Sequence, residues 1–194
     1  MTTLITLAED LSPAALLPSS YLEEHWYAAY TCANHEKRVA AELQARAVEH
    51  FLPLYSSARR WKDRRVRLEL PLFPGYVFVR LALREKLRVL QIPSLVCLVG
   101  FNGQPAALPD EELESLRSGL ALQLRVEPHP YLVAGRRVRV KSGPLAGLEG
   151  ILVRRKGKSR VVLSLDVIMR SIVADLDVVD LEPISQNRMA LKRR

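Results

Sequence analysis

Two short segments contain residue types that could support catalysis or metal binding. Residues 157–159 (GKS) match the end of a phosphate-binding Walker A loop, which also requires a glycine five residues before Gly157, where Leu152 stands. Cys32 and His35 have a spacing that two metal ligands could use, but the sequence supplies no second pair to complete a tetrahedral site. No Ser/His/Asp or paired-carboxylate arrangement can be assembled from spacing. The sequence therefore predicts a protein that is not an enzyme and that carries no cofactor.

Basic side chains in two segments indicate a possible contact with nucleic acid more specifically than the segments above indicate catalysis. The segment ARRWKDRRVRLEL (58–70) reads as an exposed hairpin that carries Trp61 among arginines. Arginines contact phosphates and a tryptophan ring can stack on a base, although a tryptophan packed against arginine stems is an equally good interpretation. Lys37 and Arg38 fall in the first turn of a predicted helix, where they oppose the helix dipole unless a phosphate binds there. Nucleic-acid contact and a solvated basic surface therefore both stay open.

Aromatic side chains cluster around two prolines and a glycine in PLFPGYVFVRL (71–81). Alternation along a strand separates an aliphatic face from a face that carries two rings and an arginine. The aliphatic face consists of Val77, Val79 and Leu81, and the other face consists of Tyr76, Phe78 and Arg80. Tyr30 and Phe73 would extend the ring-bearing face. Uncovered rings would form a groove for a protein partner, whereas covered rings would form a second small core.

The elements that must position these side chains follow from periodicity. HWYAAYT (25–31) is typical of a strand, and NHEKRVAAELQARAV (34–48) predicts a helix with Asn34 as its N-cap. LPDEELESLRSGL (108–120) predicts a second helix that Gly119 caps. The order of strands and helices predicts an α/β sandwich with a small, mostly antiparallel sheet, with the aliphatic face under the helices.

The chain changes character after residue 121. ALQLRVEPHPY (121–131) lacks periodicity and contains two prolines, which is typical of a linker. Only short strand-like runs follow: RRVRVK, GILVRR, RVVLSL and SIVADLDVVDL. Such runs predict a small β-barrel, so the fold class is α+β.

Charge is distributed unevenly along the 194 residues. Residues 1–131 contain 15 Lys and Arg against 15 Asp and Glu, whereas residues 132–194 contain 14 against 6 and carry the whole net charge of +8. This asymmetry suggests an anionic partner for the second half. Two cysteines are too few for a disulfide scaffold, and the sequence has no basic signal-peptide start and no apolar run long enough for a membrane. A cytoplasmic protein without a membrane contact is expected.

Several segments, taken together, resemble one family. WYAAYT, FLPLY, LFPGYVFV and VGFNGQPAALPDEELESL resemble, in this order, the N-terminal domain of the NusG transcription elongation factors, and GRRVRVKSGPLAGLEGILVRR resembles the KOW motif of that family's small SH3-like barrel. The sequences of the barrel segment and of VGFNGQPA are most similar to those of specialised antiterminators of the RfaH and UpxY groups. The resemblance implies a polymerase-binding domain (23–121) and a KOW barrel (133–184), and composition adds a linker (122–132) and a basic tail (185–194). A flexible extension (1–22) is expected before them, which is longer than the family's usual N-terminus.

The resemblance also implies site residues. In the family, an aromatic groove grips the clamp helices of the largest RNA polymerase subunit, and the matching positions are Tyr30, Phe73, Pro74 and Tyr76. In the antiterminator branch the first helix reads the non-template DNA strand. The matching helix positions with the nearby hairpin are His35, Lys37, Arg38, Arg46, Arg59, Arg60, Trp61, Lys62, Arg64 and Arg65.

The barrel loops are the place where this chain departs from the family pattern. In the family these loops dock on a small-subunit ribosomal protein or on the termination factor Rho. An aromatic residue of the family pattern is replaced by Leu145, and an aromatic–Gly–Arg pattern is replaced by Ile168, Met169 and Arg170. Leu145, Ile168 and Met169 remain an apolar patch for some partner, and Arg170 is assigned to the same partner-binding set. We expect the factor to be monomeric. The alternative function is that of a KOW-type RNA-binding protein of the ribosome or translation machinery.

Overall fold

The computed structural model describes residues 19–61, 64–129, 136–155, 158–176 and 180–184. The helices are α1 (Ser19–Leu22), α2 (Glu36–Ala45), α3 (Lys86–Leu90) and α4 (Asp110–Ala121). The strands are β1 (His25–Thr31), β2 (Glu49–Phe51), β3 (Leu54–Trp61), β4 (Arg64–Pro71), β5 (Tyr76–Leu81), β6 (Leu95–Leu98), β7 (Gly100–Phe101), β8 (Gln104–Pro105), β9 (Ala107–Leu108), β10 (Val126–His129), β11 (Arg136–Val140), β12 (Glu149–Arg155), β13 (Lys158–Leu165), β14 (Arg170–Asp175) and β15 (Leu181–Pro183).

The first half of the chain forms an antiparallel sheet with helices on both faces, called the sandwich below. Its strand order is β2-β5-β1-β6, and β9 also pairs with β1. The register places Trp26 opposite Arg80 and Tyr30 opposite Tyr76. Trp26 and Tyr30 therefore share a face with Tyr76, whereas the Tyr27 ring lies on the aliphatic face. The predicted antiparallel sandwich is confirmed.

The two faces of this sheet support separate cores. The aliphatic face, with Val77 and Val79, packs under α2 and α3. The ring-bearing face, with Trp26 and Phe78, packs under α4 and also against the second half of the chain. Alternation therefore separated the two faces correctly. Helices cover both faces, however, and not the aliphatic face alone. Most rings are buried because α4 returns across their side of the sheet.

The second half forms a six-stranded sheet with the order β10-β14-β13-β12-β11-β15, called the barrel below. This confirms the predicted small β-barrel. Its first strand, β10, lies within the predicted linker (122–132) and pairs with β14, Pro128 facing Ile172. Pro128 is compatible with a strand here because β10 lies at the end of the strand order, where a missing N–H is tolerated. Pro128, one of the two prolines that suggested a linker, therefore lies in an edge strand, and Pro130 lies outside the described residues.

The residues predicted to cap the helix ends were less accurate than the helices predicted from periodicity. The N-cap of α2 is His35, and Asn34 instead adopts a left-handed conformation with φ 62°. Gly119 lies inside α4, not at its C-cap. Within the predicted extension, Ser19–Leu22 form α1, while residues 1–18, the hairpin tip at 62–63 and the tail from 185 lie outside the described residues. In the described part of the chain no helix has the length and apolar character needed to cross a membrane.

Candidate protein and nucleic-acid interface

The turn that precedes β5 is fixed to the end of β1. Gly75 adopts φ +86°, a conformation that other residues rarely adopt. Its carbonyl accepts a hydrogen bond from the Thr31 N–H at 2.8 Å, and the Tyr76 N–H donates to the Phe73 carbonyl at 3.1 Å. A Cβ atom at Gly75 would lie 3.3 Å from Cε2 of Tyr30. The backbone angle therefore favours glycine, and the Tyr30 ring would have to shift to admit a Cβ atom.

Two tyrosines form a surface ring pair beside this turn, called the tyrosine pair below. The ring centroids of Tyr30 and Tyr76 are 5.5 Å apart, and the ring planes are tilted by 47°. Tyr30 is 42% exposed, Tyr76 is half-buried, and Pro74 of the turn is exposed. Three of the four predicted polymerase-contacting residues therefore share one accessible surface.

Phe73 differs from its neighbours because it is only 2% exposed. Its ring contacts the Phe78 ring edge-on, with a centroid distance of 5.6 Å and an interplanar angle of 86°. In this arrangement Phe73 contributes to the core, and it becomes available to a partner only if the elements above it move.

The barrel lies against this side of the sandwich. The Arg170 guanidinium is positioned 5.7 Å from the centre of the Tyr76 ring, and the Ser115 hydroxyl of α4 donates to the Ala146 carbonyl at 3.1 Å. Leu145 is fully buried, and its Cδ2 atom would lie 2.5 Å from a Cβ atom at Gly119. The barrel therefore covers α4 and one edge of the tyrosine pair.

A cavity remains between α4 and the barrel. It has a volume of about 910 Å³, and Phe73 and Glu112 are among its lining residues. The pKa of Glu112 is raised from its ordinary value of 4.5, first by burial and then by the negative charges of Asp166 and Glu149. Glu149 is itself paired with Arg139 at 2.6 Å. Carboxylates from both halves of the chain thus repel one another across this cavity.

The predicted barrel patch is divided in the structure. Leu145 and Ile168 are buried, whereas Met169 is 61% exposed and adopts a left-handed conformation with φ 49°. Arg170 is exposed but faces the Tyr76 ring. Leu145 and Arg170 therefore contact the sandwich, and Met169 is the large apolar member of the patch that faces solvent.

The basic residues of α2 have different surroundings. Lys37 and Arg38 are exposed. The Nδ1 atom of His35 lies 2.8 Å from the Ser94 hydroxyl, and the Arg46 guanidinium donates to the Arg88 carbonyl at 2.9 Å. Lys37 and Arg38 therefore face solvent, whereas His35 and Arg46 make contacts within the sandwich.

The predicted hairpin is formed by β3 and β4. Arg60 pairs with Arg65, and Trp61 pairs with Arg64, at its tip. Lys62 lies outside the described residues, and the side chains of 59–61 and 64–65 are likewise outside the description. The structure thus supplies the backbone of this basic surface.

Known proteins resemble the chain over most of its length. The family model described as "Transcription termination factor nusG" matches residues 24–117. The "Transcription termination/antitermination protein NusG" of Lactococcus lactis subsp. lactis (strain IL1403) is 26% identical over 185 residues, which cover 84% of this chain and 94% of that protein. The protein of the same name from Escherichia coli (strain K12) is 25% identical over 175 residues and covers 82% and 96%. Residues 24–117 therefore match the NusG family, and the similarity to NusG proteins extends over most of the chain.

A solved structure supports the fold of the chain. The structure titled "Domain interaction in Thermotoga maritima NusG" matches with a TM-score of 0.53 and 21% identity, and covers 84% of this chain and 99% of that one. At this identity the similarity establishes the fold.

One functional candidate in this chain was missed by the sequence analysis. Glu36 is only 4% exposed, and its carboxylate accepts a hydrogen bond from the Gly75 N–H at 2.7 Å. Helical spacing from Val39 and Leu43, both fully buried, would have placed Glu36 on the buried face of α2. A charged residue on a buried face was the available signal.

Proposed function

We propose that this protein is a transcription antitermination factor that binds the clamp helices of the largest RNA polymerase subunit and suppresses pausing or termination. The observation that carries the proposal is the tyrosine pair, with Tyr30 exposed beside Pro74 and Tyr76. Tyrosines at the centre of an interface contribute strongly to binding because they bury a large apolar ring and keep a polar hydroxyl.

Such a factor needs no chemistry of its own. A protein that binds one state of the polymerase more tightly than another shifts the population toward the preferred state. A preference for the active state over the paused state would suppress pausing. This mechanism agrees with the expectation that the protein is not an enzyme.

The barrel contact limits access to the proposed polymerase site. Arg170 covers part of Tyr76, and Phe73 is buried below the same region. We infer that the polymerase-bound form has the barrel displaced, so that Phe73 joins Tyr30 and Tyr76 at the interface. Displacement would also expose Leu145, which belongs to the proposed barrel patch with Ile168, Met169 and Arg170. A small-subunit ribosomal protein or Rho is the proposed partner for that patch.

The basic surface is proposed to contact the non-template DNA strand. Lys37 and Arg38 are exposed on the first turn of α2, where backbone N–H groups also favour a phosphate. The basic hairpin would contribute Arg59, Arg60, Trp61, Lys62, Arg64 and Arg65. His35 and Arg46 would first have to leave their contacts with Ser94 and Arg88.

The polymerase proposal is tested with Tyr30→Ala and Tyr76→Ala in a binding assay with an isolated clamp-helix hairpin. Each substitution is expected to weaken binding by about tenfold or more, which corresponds to roughly 1.4 kcal/mol. Tyr21→Ala is the matched control, because Tyr21 is 37% exposed but belongs to α1. Unchanged affinity in both variants would reject the proposed site.

The alternative function is RNA binding through the barrel. It is favoured by the basic excess in residues 132–194. Part of that charge is already paired, as Arg160 with Asp175 at 2.8 Å and Arg139 with Glu149 at 2.6 Å. RNA binding predicts an affinity that falls steeply with salt and survives Tyr76→Ala, whereas clamp binding predicts the loss described above.

A further inference from the structure

Glu36 is an acidic residue on the buried face of α2. Among the described residues the buried polar or charged side chains are Thr31, Glu36 and Ser171, and only Glu36 carries a carboxylate. Burying a carboxylate is unfavourable unless hydrogen bonds compensate for the lost water. Its described partner is a single backbone group, the Gly75 N–H at 2.7 Å.

Gly75 is the residue at which three elements meet. Its N–H binds Glu36 of α2, and its carbonyl binds the Thr31 N–H of β1. The Tyr30 ring lies 3.3 Å from where a Cβ of Gly75 would be, and Tyr76 is the next residue in the chain. A shift of the Gly75 backbone therefore changes the separation and tilt of the tyrosine pair directly.

We propose that Glu36 is a positioning residue for the tyrosine pair. By holding the Gly75 N–H, its carboxylate fixes the turn against β1 and keeps Tyr30 and Tyr76 in one preorganised arrangement. Preorganisation raises affinity because the partner does not have to order the rings on binding. The bond also fixes the turn relative to Lys37 and Arg38, which follow Glu36 on α2. The consequence for polymerase binding rests on the proposed function, whereas the consequence for ring geometry does not.

The test uses three substitutions that separate hydrogen bonding from charge and volume. Glu36→Gln keeps a carbonyl acceptor at the same reach, Glu36→Leu keeps the volume without an acceptor, and Glu36→Asp keeps the charge but shortens the side chain. Glu42→Ala is the control on the same helix, because Glu42 is half-buried and outside the turn contact. All variants are made in the full-length chain.

The first readout is nuclear magnetic resonance of the Gly75 amide and of the contact between the Tyr30 ring and Gly75. We expect a strongly downfield Gly75 amide proton and a clear ring contact in the parent, in Glu36→Gln and in Glu42→Ala. Both signals should be lost in Glu36→Leu and Glu36→Asp. A merely structural role predicts lower stability without a change in these two signals, and that result would overturn the proposal. If Glu36→Leu does not fold, Glu36→Asp decides the question by the same signals.

The second readout is affinity for the clamp-helix hairpin. Glu36→Leu and Glu36→Asp are expected to bind about tenfold more weakly, while Glu36→Gln restores binding to near the parent value. If Tyr76→Ala loses binding but Glu36→Leu and Glu36→Asp keep it, the positioning role is overturned and the proposed function stands. If both Tyr30→Ala and Tyr76→Ala keep binding, the proposed function fails, and the resonance signals alone decide the positioning role.

Discussion

At the scale of single residues, the geometry of the tyrosine pair depends on Gly75, because a side chain at this position would contact the Tyr30 ring. Gly75 combines φ +86° with a Tyr30 ring atom only 3.3 Å from where a Cβ would lie. Gly103 offers a comparison, because it has φ +76° but nothing within 4 Å of such a Cβ. The two glycines therefore separate the energetic effect of a left-handed backbone from the effect of ring contact.

We predict that Gly75→Ala and Gly103→Ala each lower the free energy of unfolding by about 1–2 kcal/mol, because alanine is strained at these angles. Only Gly75→Ala should also displace the Tyr30 ring and weaken clamp-helix binding. Denaturant unfolding measures the first effect and the binding assay measures the second. Equal binding by the two variants would show that the ring contact with Gly75 has no part in recognition.

At the scale of elements, α4 connects the two halves of the chain. One side of this helix buries Leu113 and Leu116 over the ring-bearing face of the sheet. Gly119, in its last turns, gives room for Leu145 of the barrel. A glycine inside a helix is unfavourable by itself, so its position here is explained by the close approach of the barrel.

We predict that Gly119→Ala loosens the contact between α4 and the barrel even though alanine favours the helix by about 1 kcal/mol. The added Cβ would lie 2.5 Å from Cδ2 of Leu145, so Leu145 must turn or the barrel must withdraw. The chemical shifts of the Leu145 methyl groups report this change. Ser118→Ala, at an exposed position of the same helix, is the control, and an identical Leu145 spectrum in both variants would contradict the prediction.

At the scale of the whole molecule, the contact between sandwich and barrel combines apolar packing with electrostatic repulsion. Leu145 and Phe73 are buried in it. Glu112 of α4 faces Asp166 and Glu149 of the barrel. The ion pair with Arg139 partly neutralises Glu149. A contact with such opposing contributions can be closed in the free protein and opened by a partner that binds the covered face.

We predict that the closed arrangement becomes more populated as the pH is lowered from neutral toward 4.5. Burial, and then the charges of Asp166 and Glu149 on the barrel, raise the pKa of Glu112 in the closed arrangement. Closure is therefore penalised while this carboxylate is charged, and the penalty disappears as the pH falls through the raised pKa. The Leu145 methyl shifts measure the closed population across this range. Glu112→Gln removes the charge and should make the contact less dependent on pH. An unchanged pH dependence in Glu112→Gln would assign the effect to other groups.

Sequence alone determined the features that depend on neighbours along the chain. Alternation separated Val77 and Val79 from Phe78, because successive residues of a strand point to opposite faces. Periodicity located α2 and α4 to within a few residues, and the basic hairpin was found from its composition. Family resemblance supplied the tyrosine pair, and the structure places both rings together at the surface.

Tertiary structure decided the features that depend on residues distant in sequence. The burial of Phe73 and the stacking of Arg170 on Tyr76 follow from where α4 and the barrel return across the sheet. The bond from Glu36 to Gly75 joins residues 39 positions apart. Periodicity reports which face of an element is buried, but not what lies on the other side. For that physical reason the sequence determined the elements and their faces, and only the folded chain determined which of those faces meet.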